Sequence, residues 1–356
     1  MKTVLPSLRY YQTEHRRLDC QVVTPMFLGG ADQEAQWRAE PFKALLRYWW
    51  RVTCIDLPGE KALLEEEGRV FGRAGDERES RKSPVEIRLV PGHGTAAVKS
   101  PFQKMKIQHP EVDHGGKVDA LGYLAGMGLV HFKKGIQHSY FPSTSAFQLI
   151  LQYPAALKKE IDAVLALVAV FGTVGARSRN GWGSFNISNP GLEGGQQAAL
   201  LQSVTKSWTK GFQKDYPNCL GKDEKGPLLW QTELCSTWEK VMVQLASAYI
   251  KVRAEKVGQD ERLDPGGGSF AERHLIGVPL THHPIGKNKN DRHASPLRFC
   301  VRKKMDKYRG LVLHVPHAHS RNQLNSKNSE QIQTWEKIHR KLDTLLKRAK
   351  YEECVA

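Results

Sequence analysis

Leu18, Cys20 and Val22 alternate with polar residues across Tyr11–Val23, the two-residue period of a strand with one buried face, and Pro25 ends it. Beyond a loop holding Gly29, Gly30 and Asp32 the period changes. Phe42, Leu45, Leu46, Trp49 and Thr53 recur at helical spacing, which predicts an amphipathic helix over Arg38–Cys54. Val85–Val90 reads as a second strand and Ala146–Tyr153 as a third. Pro154 then suits the first position of a helix reaching about Phe171, with Ile161, Val164, Leu165 and Val168 turned inward. Ser184–Ile187 closes the series as a short strand. The order βαββαβ over residues 1–190 predicts a ferredoxin-like (RRM-like) unit, an α+β fold whose open antiparallel sheet also serves many RNA-binding domains. The segment Pro91–Pro142, rich in Gly, His and Lys, reads as an insertion into that unit.

The second half, 191–356, is less regular. Gly191–Gly195 and Asp215–Pro227 have the composition of linkers, with a helix over Gln197–Phe212 between them. A longer helix over Thr232–Val257 carries Leu234, Trp238, Val241, Met242, Leu245 and Val252 at core spacing. Strands are expected at His274–Leu280, Pro296–Val301 and Gly310–Val315. A last helix over Ser329–Tyr351 presents Ile332, Trp335, Ile338, Leu342, Leu345 and Leu346 along one side. No short-period repeat is visible.

Charge changes the picture. The 53 Lys and Arg residues against 37 Asp and Glu give the 356-residue chain a net charge of +16, a field that gathers phosphate backbones without selecting a sequence. The placement is more specific. Gly172–Phe185, GTVGARSRNGWGSF, sets Gly172, Gly175, Gly181 and Gly183 around Arg177 and Arg179, so a donor-lined turn carries two guanidinium forks that match phosphate. Trp182 adds a ring on which a base could stack, a combination suited to single-stranded nucleic acid; a plain surface loop is the alternative. Lys43, Arg47 and Arg51 stand four residues apart along the first helix and form a cationic row, unless they are an ordinary solvated face.

The segments Thr24–Arg51, RVFG at Arg69–Gly72, GARSRNGWGSF at Gly175–Phe185 and RHASPLRF at Arg292–Phe299 resemble, in this order, the RAMP superfamily of CRISPR-associated proteins. Within it they are most similar to the first-subunit group of type III-B Cmr effector complexes. The resemblance implies two ferredoxin-like domains with antiparallel sheets, inserted loops and a glycine-rich loop. It also implies contact with CRISPR guide RNA and target RNA near the guide 3′ end, and neighbouring RAMP subunits of a Cmr complex. Target cleavage would belong to a different subunit. It marks Gly29, Gly30, Arg38, Lys43, Arg47, Trp50 and Arg51 on the first loop and helix, and Arg177, Ser178, Arg179, Asn180, Gly181 and Trp182 on the main glycine loop, as RNA-binding residues. Trp49 belongs to the apolar stripe, whereas Trp50 lies off it, free to stack on a base or pack on the other domain. Ala44 stands where relatives commonly carry glycine.

The rival reading is a RAMP-type endoribonuclease. His138, His282 and His283 are its acid–base candidates, and Asp32 is its metal-holding candidate, although one carboxylate is a poor two-metal site and aspartate readily caps its own turn. His314, His317 and His319 do not match a standard zinc spacing, and Pro316 interrupts any helix that would align them. The six cysteines lack paired ligand spacing, so neither a zinc knuckle nor a disulfide framework is indicated and reduced thiols are the default; no metal or other cofactor is expected. A stand-alone interaction protein without an RNA role leaves Arg177 and Arg179 unexplained. No stretch approaches the roughly 20 apolar residues of a membrane span, which points to a cytoplasmic protein without membrane partners.

Overall fold

The computed structural model describes residues 12–30, 32, 34–75, 80–92, 95–112, 116–131, 133–278, 293–319 and 328–355. In the first half, β1 (Thr13–Val22) leads through the first loop to α1 (Glu40–Val52) and α2 (Glu60–Phe71), followed by β2 (Glu86–Pro91). The inserted segment contributes a hairpin, β3 (Lys106–Gln108) and β4 (Lys117–Asp119), and the short helix α3 (Ala120–Ala125), capped by the Asp119 side chain on the Gly122 amide. Then come β5 (Ala146–Pro154), α4 (Lys158–Phe171) and β6 (Phe185–Ile187). One sheet forms in the order β2-β5-β1-β6, with every pair antiparallel.

Leu18 pairs with Leu149 and Cys20 with Phe147, so the inward positions of β1 and β5 meet on the same face. Helices α1 and α4 cover that face. Phe42 lies 5.2 Å from Phe147, and Trp49 lies 5.7 Å from Phe171. The predicted stripe of α1 is therefore the core stripe at Phe42, Leu45, Leu46 and Trp49, whereas Thr53 lies past the helix end as its half-buried C-cap. Trp50 joins the stripe, because α2 packs alongside and brings Phe71 to 6.1 Å, while the Trp50 indole donates to Glu160 at 3.1 Å.

The second half repeats the plan. After α5 (Gly194–Ser203) and a small three-stranded sheet over residues 205–227, β7 (Leu229–Gln231) is followed by α6 (Trp238–Ala254), β8 (Leu297–Lys304), β9 (Lys307–His314), α7 (Asn328–Leu345) and β10 (Lys347–Arg348). This sheet runs β8-β9-β7-β10, again antiparallel throughout. Numbering each set of strands by order in the chain, both sheets read 2-3-1-4. The chain thus holds the same βαββαβ winding twice.

Several boundaries differ from expectation for local reasons. Thr237 caps α6 by accepting from the Lys240 amide, so the helix starts after Leu234, which is 53% exposed and is not a core residue. Pro154 ends β5, and a single 3-10 turn over Ala155–Leu157 precedes α4. The predicted strand at His274–Leu280 is, in its described part, a 3-10 turn, Glu272–Ile276, followed by a single antiparallel bridge from Val278 to His293. The helix predicted over Gln197–Phe212 ends at Ser203, and α7 stops at Leu345 so that Lys347–Arg348 can pair with β7. Helix α2 was not anticipated.

The insertion does not stay with its own half. Helix α3 packs on α6, and Leu121, Leu124 and Ala125 share one buried cluster with Trp182, Trp230, Trp238, Met242 and Leu245. A wall from the first half is therefore built against the second half, with an open cleft between.

Candidate nucleic-acid interface

The cleft encloses about 2250 Å³. One side is formed by Gly29 and Gly30 of the first loop and by Pro41, Ala44 and Tyr48 of α1. The insertion, the glycine loop from Thr173 to Asn180, the end of α6 and the segment before β8 complete it. Its lining is basic: Lys104, Lys106, Lys117, Lys133, Arg177, Arg179, Arg253, Arg262, Arg273 and Arg298 face it, against Glu111 and Asp119. Both carboxylates are engaged. Glu111 takes a two-pronged ion pair from Arg273 at 2.7 and 2.9 Å, and Asp119 accepts from the Met105 and Gly122 amides.

The glycine loop is tied down on three sides. Ala176 donates its amide to the Phe27 carbonyl at 2.9 Å, the Asn180 side chain donates to Leu124 of the insertion at 2.9 Å, and Phe299 of β8 donates to the Arg179 carbonyl at 2.8 Å. Gly175, at φ +97°, lets the Phe27 carbonyl approach to within 2.5 Å of where a Cβ would sit. Gly183, at φ +65°, allows the return of the chain against the Val174 carbonyl. Between these points Arg177 takes φ +57°, unusual for a residue with a side chain. Among the described residues, the amides of Arg177, Ser178 and Arg179 find no backbone acceptor. Successive free N–H groups around a left-handed residue make a concave anion seat.

Two guanidinium groups beside this seat are buried without a carboxylate partner among the described residues. Arg298 is 6% exposed, lies 4.4 Å over the Tyr48 ring and donates to Thr173 Oγ1 at 3.1 Å. Arg179 lies 5.7 Å over the same ring. Burial lowers the Arg179 pKa, the Tyr48 hydroxyl opposes that, and the nearby charge of Arg298 lowers it further. The buried Nε atoms of both arginines have no hydrogen-bond partner, and among the described residues neither arginine meets a carboxylate. Arginine stays charged in proteins, so a pair of desolvated like charges calls for an anion from outside the chain.

Other predicted site residues are placed differently. Trp182 is fully buried, its ring 5.5 Å from Phe27, 5.1 Å from Phe102 and 6.0 Å from Trp238; it is a core residue and offers no face to a base. Gly181 backs onto Met242 beneath the loop. Trp50 is buried as described above, and it too offers no stacking surface. The cationic row turns away from the cleft. The residues of α1 that line it, Pro41, Ala44, Leu45 and Tyr48, lie roughly a third of a turn round the helix from Lys43, Arg47 and Arg51. Arg47 and Arg51 converge on the buried Glu67 carboxylate of α2, at 2.7 and 2.5 Å. Lys43 stands beside them, its pKa lowered by partial burial and by Arg47. Arg38 donates to the Gly29 carbonyl at 3.2 Å and pairs with Glu40 at 3.5 Å, so it holds the first loop from outside the cleft.

Of the catalytic alternatives, His138 lines the cleft, whereas Asp32 accepts from the Glu34 amide at 3.2 Å and caps its own turn. His282 and His283 lie outside the described residues. His314 is a core residue, stacked 4.0 Å from Trp335 and hydrogen-bonded to His339 at 2.9 Å. His317 bonds the Val315 carbonyl at 2.9 Å, and His319 lies 3.9 Å from His293 on the cleft wall. Burial, then the neighbouring His319, His317 and Arg179, pushes the His293 pKa down to about 2, so its imidazole is neutral at pH 7. Among the described residues no group of three or more His, Cys, Asp or Glu side chains is arranged to hold a metal ion.

The residues the sequence reading missed are Arg298, Arg253, Arg273, Tyr48, Tyr123 and Tyr249, together with the lysines of the insertion. Only Arg298 had a sequence signal, through the motif at Arg292–Phe299.

The RAMP superfamily model matches residues 19–186. The chain is similar to the crystal structure of Cmr1 from Pyrococcus furiosus in its apo form, at 18% identity over 95% of this chain and 98% of that one, with a TM-score of 0.51. It also matches a chain in the cryo-EM structure of the type III-B Cmr-beta complex bound to cognate target RNA, at 12% identity over 92% and 99% of the two chains, with a TM-score of 0.44. No curated protein matches by sequence.

Proposed function

Through residues 19–186 the chain belongs to the RAMP superfamily, and from that premise we propose that it is a non-catalytic RNA-binding subunit of a type III-B CRISPR (Cmr) ribonucleoprotein. In this reading each half is a ferredoxin-like domain, the first over 1–190 with its insertion at 91–142 and the second over 191–356. The repeated strand order and the likeness in fold to Cmr1 support it. Single-stranded RNA, guide or target, occupies the cleft near the guide 3′ end, and other RAMP subunits lie alongside. No helix among the described residues is long and apolar enough to cross a membrane, in keeping with a protein that works on RNA in the cytoplasm.

One observation carries the proposal: Arg179 and Arg298, one from each half, sit desolvated over Tyr48 without a carboxylate among the described residues, beside three amides that lack backbone acceptors there. A phosphodiester supplies both the missing charge and the missing acceptors. Protein acids could have done the same, and in this cleft they are spent elsewhere.

The test is filter binding of single-stranded RNA over a salt series. Wild-type protein should lose affinity steeply as salt rises, and the double variant Arg177→Ala/Arg179→Ala should show a slope shallower by about 0.7 per lost phosphate contact. An unchanged slope would remove the glycine loop from the binding site. RNA recovered intact, with and without a chelator, is the expected companion result, and cleavage by the purified chain would favour the nuclease reading.

A further inference from the structure

The cleft has two chemically distinct ends. At the glycine loop Arg179 and Arg298 meet no carboxylate among the described residues. At the other end, between the insertion and the C-terminal turn of α6, Arg273 and Arg253 are engaged by neighbouring side chains. Arg273 is held by Glu111, and Arg253 donates to the Tyr123 hydroxyl at 3.0 Å while its guanidinium lies 5.1 Å over the Tyr249 ring. What this end presents is planar surface. His109 lies 5.5 Å from Tyr123, and Tyr123 lies 6.3 Å from Tyr249; all three are half-buried and line the cleft. Burial, the largest influence on His109, lowers its pKa, and its Nδ1 accepts from the Glu111 amide at 3.2 Å, so the ring is neutral at pH 7.

The two ends are linked by one residue. Phe299 donates its amide to the Arg179 carbonyl and sets its ring 5.2 Å from Tyr249, edge to face. A strand held by its phosphate at Arg179 therefore has planar groups next to it, which offer faces to a base.

We propose that the His109–Tyr123–Tyr249–Arg253 end of the cleft receives an unpaired nucleobase of the strand whose backbone is held by the glycine loop. The inference rests on the cleft being an RNA site and adds that it reads single strands through a base, not the backbone alone. Stacking on tyrosine, histidine and arginine planes accepts any base, so the site selects for unpaired RNA before it selects for sequence. It also gives the insertion a function, since His109 and Tyr123 both belong to it.

Fluorescence anisotropy on the full chain tests this, with an oligoadenylate and an abasic oligoribonucleotide of equal length as probes. Wild type should prefer the base-bearing strand by about 5- to 150-fold, the range that corresponds to stacking one base. Tyr249→Leu should abolish that preference, lowering affinity for the base-bearing strand far more than for the abasic one, and Tyr249→Phe should retain it. His109→Leu, which alters the insertion alone, should reduce the preference and serves if Tyr249→Leu does not fold. Equal binding of the two probes by wild type, with salt dependence intact, would overturn the base pocket and leave the phosphate site standing. An equal loss on both probes in Tyr249→Leu would make the ring structural and would likewise overturn it. Failure of wild type to bind either probe would remove the RNA reading and this inference with it.

Discussion

Arg179 and Trp182 stand three positions apart in one loop and do opposite work. The arginine is a charge brought out of water without a partner, which costs folding free energy; the tryptophan fills the space where Phe27, Phe102 and Trp238 meet, which stabilises the fold. Replacing Trp182 with Ala should cost about 3–5 kcal/mol, read as a fall in the denaturation midpoint. Replacing Arg179 with Gln should lower RNA affinity while the melting temperature stays level or rises, because a desolvated charge facing Arg298 is removed. If Trp182→Ala kept its stability and lost only RNA affinity, the ring would be a stacking platform after all. The earlier expectation for Trp182 failed for a physical reason: its three ring neighbours come from the first loop, the insertion and α6, far apart in sequence. No local pattern could show that they converge.

At the scale of elements, α1 shows what periodicity can and cannot resolve. Its apolar stripe was legible because Phe42, Leu45, Leu46 and Trp49 face one sheet at one spacing, and all are buried. The fate of Lys43, Arg47 and Arg51 was not legible, because it depends on α2. That helix carries three consecutive glutamates, Glu65, Glu66 and Glu67, and its apolar positions are few, so it gives a weak helical signal. In the fold its Glu67 is buried and draws Arg47 and Arg51 into an ion-pair cluster. Arg47 and Arg51 of the row are a clamp between two helices.

Burial pushes the Glu67 pKa up, but hydrogen bonds from Arg51 and Arg47 outweigh it and hold it below the ordinary carboxylate range. Its contribution to stability is therefore complete above the unfolded glutamate value, about 4.3, and is lost as pH falls through the lower native value. Glu67→Gln should cost about 1.5–3 kcal/mol at pH 7, with the gap to wild type closing in acid. A gap that stays constant from pH 7 down to pH 3 would mean that the cluster contributes no charge-dependent stability.

The whole molecule is two windings of one βαββαβ plan with a cleft between them. The first winding was legible from alternation at Leu18, Cys20 and Val22 and from the stripes of α1 and α4. The second was obscured because β7 spans only Leu229–Gln231 and β10 only Lys347–Arg348, too short to show any period. The candidate surface was half legible. Arg177, Ser178, Arg179 and Asn180 stood out through their glycine setting, but their partners in the cleft come from other parts of the chain. Arg298 sits on a strand that reads as core, and Tyr249 sits on a helix whose apolar stripe is buried. The face shared with the glycine loop is made by the insertion and the second winding, not by the arginines of α1.

The central claim, that RNA lies in this cleft, is tested most directly by photocrosslinking a 4-thiouridine-substituted single-stranded RNA to the full chain and mapping the modified peptides. Adducts should concentrate on residues 173–180, on 293–298 and on the end of α6 around Tyr249. Crosslinks confined to the outer face of α1, at Lys43, Arg47 and Arg51, or scattered over the surface with the cleft unlabelled, would contradict the account.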